Sequence, residues 1–197
     1  MLTKWRYGFL FALMTSIVLL SACVNFQVGA NRATDEPESQ TGISEIDAVI
    51  ATTLEGDVDE LRSILDFTQT NCTFAEGLGG PPKCLATEME GTPVEVLPFL
   101  GPEGHFIRKE DIGNWAGLDV SELFAVYQVS DKAYSDADYP AGEYAIVFTT
   151  ALEGEPSITL QIRQGKIIRI DYGFGSPYEI PQAAVARFLL PPPAASP

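Results

Sequence analysis

Downstream of residue 43 the chain changes its hydrophobic period once, and that change predicts the order of its elements. Ile46, Val49, Ile50 and Leu54 recur at helical spacing. Ser44, with Asp47 three residues on, predicts the N-terminal cap of this helix, and Gly56 predicts its stop. Asp57 then caps a second short helix whose apolar stripe is Val58, Leu61, Ile64 and Leu65. Further along, the period becomes two. Strands are predicted over residues 123–129, 144–150, 157–163 and 166–172; in the third, Ile158, Leu160 and Ile162 alternate with Thr159, Gln161 and Arg163, as in a sheet with one covered face. Gln164-Gly165 has the length of a two-residue hairpin turn, and glycine accepts the positive φ such a turn needs. Residues 92–97 predict a weaker strand, which Pro93 and Pro98 confine to an edge or to strand ends. Pro181 suits the first position of a helix, so residues 182–190 predict a short C-terminal helix with Val185, Phe188 and Leu189 inward. Helices followed by a meander predict an α+β fold, with N-terminal helices packed on an antiparallel sheet of about four to five strands.

The two ends lie outside this patterning. Lys4 and Arg6 precede an apolar run over residues 8–20, which closes on Leu20-Ser21-Ala22-Cys23. A membrane-spanning helix needs about 20 apolar residues, so this run has the size of a signal segment. Leu20-Ser21-Ala22-Cys23 resembles the lipobox of bacterial lipoproteins. The resemblance implies cleavage before Cys23, which takes a thioether-linked diacylglyceryl group and anchors the protein on the extracytoplasmic face of a membrane. Val24 stands where an inner-membrane retention signal would have Asp, so the resemblance favours an outer membrane where the organism has one. A single acyl chain binds only marginally, at about 0.8 kcal/mol per buried methylene, whereas two or three chains hold firmly. Residues 24–42 lack apolar periodicity and read as a flexible tether; residues 191–197 are a Pro-rich tail. The expected organisation is a signal peptide at 1–22, a lipidated Cys23 with its tether at 23–42, one α+β domain at 43–190 and the tail at 191–197.

The chain has three cysteines, an odd number for an oxidising compartment. Lipidation of Cys23 leaves Cys72 and Cys84 as a pair across a Gly- and Pro-rich stretch that sustains neither helix nor strand. A structural disulfide is the expectation, since a redox or metal role would call for a closer pair with His or Lys beside it. Charge narrows the partners. The formal net charge is −15, and becomes −17 without Lys4 and Arg6, which argues against nucleic acid and against a polybasic dock on anionic lipid.

No assembled catalytic set is apparent. The single histidine, His105, follows Glu103 in Gly101-Pro102-Glu103-Gly104-His105. It is a candidate general base, with Glu103 or Asp111 as the carboxylate that tunes it. One histidine rules out a His-rich zinc site. Asp131, Asp136 and Asp138 lack the order and the bidentate Glu of a calcium loop, Gly77-Leu78-Gly79-Gly80 lacks the Lys-Ser/Thr of a phosphate loop, and there is no Gly-x-Ser-x-Gly elbow. No cofactor or metal is expected. Among the aromatic residues, Trp115 and Tyr172 are the candidates for contacting a ligand.

Residues 46–61 together with 164–172 resemble, over short stretches, the opening helices and a late strand of the nuclear transport factor-like (SnoaL-like) superfamily. That resemblance implies a cystatin-like, curved sheet wrapped around the helices as a cone-shaped pocket, with Asp, His or Tyr moving protons inside. The Cys72 to Cys84 loop departs from it, standing where a third helix belongs. The leading expectation is a membrane-anchored, non-enzymatic domain that binds a small-molecule or protein ligand outside the cytoplasm. The alternatives are a cone-pocket hydrolase or isomerase using His105 with a nearby carboxylate, and a structural component of the envelope.

Overall fold

A computed structural model describes residues 40–194 except 78, 102, 152–156, 174–175 and 178; Cys23 and the tether up to residue 39 lie outside the described residues. Helix α1 (Ser44–Glu55) buries Ile46, Val49 and Ile50, whereas Leu54 is 44 % exposed and sits off the stripe. Ser44 is the first helical residue rather than the cap. Asp47 instead turns back on the preceding loop, where its Oδ1 accepts from the N–H and hydroxyl of Thr41 at 2.7 and 2.8 Å. Gly56 ends α1 in the left-handed region, φ 70°. Asp57 caps α2 (Val58–Ser63), accepting from the N–H groups of Asp59 and Glu60.

The strands are β1 (Thr68–Asn71), β2 (Pro93–Leu100), β3 (His105–Arg108), β4 (Glu122–Val129), β5 (Tyr144–Thr149), β6 (Ser157–Arg163), β7 (Lys166–Gly173) and β8 (Val185–Leu190). They form one eight-stranded sheet in the order β1-β2-β7-β6-β5-β4-β8, with β3 paired to β2 off that path. All neighbours are antiparallel except β2 and β7, which run parallel through Phe99↔Ile170 and Leu100↔Asp171. Two short 3-10 turns, Lys109–Asn114 and Gln182–Ala184, complete the described elements.

The expected four to five antiparallel strands under packed helices are therefore corrected: the domain is mostly a large mixed sheet with little helix. Three causes account for the difference. The C-terminal helix is instead β8, whose Val185, Phe188 and Leu190 pair with Val129, Tyr127 and Val126 of β4. Six residues with mixed periods suit either element, and the open edge of β4 decides between them. β1 and β3 are too short and too polar to announce themselves, and both form by pairing with β2. Finally, β2 is not at the margin. Pro98 is tolerated inside it because β1 pairs only as far as Val96 and β7 begins at Phe99, so the proline falls at the change of partner.

The β6–β7 hairpin forms as patterned, with Gln164 at φ 50° and Gly165 at φ 69° in the turn. One face of the sheet receives the helices: Ile46, Val49, Ile50 and Leu61 pack on Phe99, Ile146, Phe148, Leu160, Ile162 and Ile170. The other face carries Ala125, Tyr127, Ala145 and Val147, packed against Ile180 and Ala184 and flanked by Val185 and Phe188 of β8. Among the described residues no helix is long and apolar enough to cross a membrane.

Candidate functional site

Cys72 and Cys84 form a disulfide, with their Cα atoms 4.8 Å apart. The bond gathers a loop with little regular structure, and backbone hydrogen bonds finish the job: Thr73 N–H donates to Pro82 O at 2.9 Å and Cys84 N–H to Thr73 O at 3.0 Å. Cys72 is buried with Val94 and Val96 of β2, so the loop hangs from the sheet rather than from solvent-facing turns. Arg108, at the end of β3 and 7 % exposed, holds the loop's far side. Its guanidinium donates to both oxygens of Glu88 at 2.8 and 2.7 Å and to Lys83 O at 2.8 Å. The Arg108 hydrogen bond holds the Glu88 carboxyl below its ordinary value, and Leu85 N–H adds to the effect.

Between this loop, β3 and the Lys109–Asn114 turn lies a cleft of about 670 Å³. Its walls include Pro81, Pro82, Leu85, Phe106, Ile107 and Trp115, with Lys83, His105 and Asp111 at polar points. Gly79 allows the loop to close on the β2–β3 turn: a Cβ there would meet Glu103 O at 2.7 Å, and its φ is +70°.

Several residues singled out by sequence meet at one place. Phe99, 1 % exposed, stacks on His105 with ring centroids 4.5 Å apart and planes 12° from parallel. Tyr172 stacks on the same ring at 6.0 Å and Trp115 meets it edge-on at 6.4 Å. The cross-strand pair Phe99↔His105 and the parallel contact of β2 with β7 produce this cluster. His105 is exposed and opens onto the cleft, as does Asp111. Glu103 sits in the β2–β3 turn and is not among the residues lining the cleft. Tyr172 also borders a second cavity. Cys23, the candidate acylation site, lies outside the described residues.

Sequence reasoning overlooked Phe99 and Arg108. Phe99 lies past the end of the strand expected at 92–97, beyond Pro98. Arg108 interrupts the apolar pattern of His105-Phe106-Ile107, and that interruption was the available signal for a buried ion pair. A sulfur and carboxylate grouping of Cys72, Cys84 and Glu88 is close enough for a metal, yet the sulfurs are joined to each other and Glu88 is engaged by Arg108. Disulfide sulfurs offer no thiolate, so this grouping is not a ligand set. No protein-family model, curated protein or solved structure matches this chain.

Proposed function

We propose that the chain is a lipid-anchored, extracytoplasmic binding protein, tethered through Cys23 and contacting a small-molecule or protein ligand at the cleft beside Trp115. The observation that carries this reading is the cleft's construction. A disulfide and an Arg108–Glu88 clamp fix a largely apolar wall against β3, and such preorganisation favours binding by reducing what must be ordered on contact. Localisation rests on the lipobox resemblance and on the disulfide, which persists in oxidising compartments.

The test is fractionation with mass spectrometry of the full chain. Wild type is expected in the membrane fraction with an N-terminal Cys23 carrying diacylglyceryl and acyl mass, and Cys23→Ser in the soluble extracytoplasmic fraction. An unmodified N-terminus in soluble wild type contradicts the anchoring. A second reading, acid–base catalysis, is favoured by one observation: His105 and Asp111 line the same cleft. Turnover by the purified chain that disappears in His105→Ala establishes that reading over simple binding.

A further inference from the structure

The second cavity, of about 380 Å³, lies on the face of the sheet turned away from α1 and α2. Strand register builds its floor. Tyr127, Ala145, Gln161 and Arg169 stand in one row across β4 to β7, and Val147, Thr159 and Asp171 in the next, with Ser157 beyond them. A polar floor on a buried sheet face is unusual, and its charged part is internally closed. Arg169, 3 % exposed, donates through Nε to Asp171 Oδ1 at 2.6 Å and through Nη2 to Oδ2 at 2.9 Å. Its Nη1 donates to the carbonyls of Tyr134, Tyr139 and Pro140. Gln161 Nε2 donates to Asp171 Oδ2 at 3.0 Å, and Gln161 Oε1 accepts from Gly142 N–H at 3.1 Å.

Three hydroxyls are left over. Those of Tyr127, Ser157 and Thr159 line the cavity, and no hydrogen bond joins any of them to a described residue; none belongs to the sealed, unpartnered atoms, which are Arg62 Nε and Tyr139 OH, so all three reach the cavity's open space. Three accessible hydroxyls on one floor suit an occupant that both donates and accepts. Asp171 Oδ1 accepts only from Arg169 Nε and retains a lone pair for another donor. The floor favours neither sign of charge. Arg169 and Asp171 neutralise each other, while Lys132 and Glu179 oppose each other at the rim. The walls are apolar: Ile180, Pro181 and Ala184 stand on one side, and Tyr134, 56 % exposed, offers a ring at the mouth.

We propose that this cavity binds a neutral polyhydroxylated ligand of the pyranose class, whose hydroxyls pair with Tyr127, Ser157, Thr159 and Asp171 and whose C–H faces rest on Tyr134 and Ile180. Its volume is in the range of small-molecule sites, about 300–1,000 Å³. The site is separate from the cleft beside Trp115 and does not depend on that cleft's role.

The experiment uses the full chain, purified without glycoside detergents. It is titrated with glucose, galactose and N-acetylglucosamine, and with glucuronate and glucosamine as charged controls. Saturable binding of at least one neutral sugar is expected, tighter than its charged counterpart. Tyr127→Phe and Thr159→Val should each weaken it by about threefold to tenfold, with Leu54→Ala, at an exposed position of α1 that lines neither cavity, leaving it unchanged. Amide shifts of the wild type on titration are read in parallel, so the outcome does not depend on the variants folding; they should cluster on β4, β6 and β7. Absence of saturable binding for all three neutral sugars overturns the proposal. So does binding that shifts β3 and the disulfide loop instead, or that both hydroxyl variants retain in full.

Discussion

Removing the Cys72–Cys84 bond tests how the cleft's wall is held. The bond closes a loop with a sequence separation of 12, and the chain-entropy relation assigns such a loop about 3 kcal/mol. Cys72 is 2 % exposed against Val94 and Val96, so replacing the sulfur by a methyl hydrogen adds a small cavity, about 1 kcal/mol or less. The double variant Cys72→Ala, Cys84→Ala should therefore lose about 3–4 kcal/mol in urea unfolding followed by far-UV circular dichroism. At about 2–4 °C per kcal/mol for a domain of this size, the melting temperature should fall by about 6–16 °C. The reduced wild type should follow the variant closely, because it loses the cross-link but keeps both sulfurs. Amide exchange localises the effect: Lys83, Leu85 and Arg108 should exchange faster through local opening, whereas the β6–β7 hairpin, central in the sheet, should speed up only as far as global stability falls. A loss below about 1 kcal/mol with unchanged exchange at Leu85 would falsify the idea that the disulfide holds the wall.

Arg169→Met should cost about 3–5 kcal/mol, because Asp171 and three loop carbonyls lose their partner in the interior, and Arg169→Met with Asp171→Leu should recover much of it. Burial first, and the nearby Asp171 charge second, push the Tyr127 hydroxyl up to about 12. The unfolded chain deprotonates first, so stability present below pH 10 should decline as pH rises toward 12, by about 2–3 kcal/mol, and Tyr127→Phe should flatten that decline. Gly79→Ala should open the cleft by pushing the loop from Glu103, detected as faster amide exchange over residues 79–85, while Gly80→Ala, with nothing within 4 Å of its added Cβ, should leave the Glu103 contact in place.

The elements that sequence identified are those whose own residues determine them. The Gln164-Gly165 turn, the Ile158-Leu160-Ile162 alternation and the Asp57 cap need no distant partner to be read. The missed strands are the reverse case. Thr68–Asn71 has no apolar alternation and becomes a strand through Thr70↔Val94 and its neighbours on β2. Val185–Leu190 could pack as a helical stripe, and an open edge on β4 makes it a strand. The parallel contact of β2 with β7 joins positions about 70 residues apart, beyond what local patterning encodes. The same division holds at the cleft. Cysteine counting found the pair that pins the wall, and the aromatic and histidine candidates converge on Phe99, but the hub itself lay outside every expected element. Arg108 and Arg169 carried their signal as charges inside apolar strands. What they bind, loop carbonyls and carboxylates, is set by tertiary structure alone.

Trp5 and Trp115 are the only tryptophans in the chain, so in protein starting at Cys23, or in the full chain carrying Trp5→Phe, the emission comes from the cleft alone. Titration of that protein with the amphiphilic, anionic fluorophore 1-anilinonaphthalene-8-sulfonate measures directly whether the cleft takes up an aromatic ligand. Energy transfer from Trp115 should saturate at one site per chain, and Leu85→Glu, altering a half-exposed wall residue, should abolish it at an unchanged melting temperature. No transfer, or transfer that Leu85→Glu leaves intact, contradicts a binding role for the cleft.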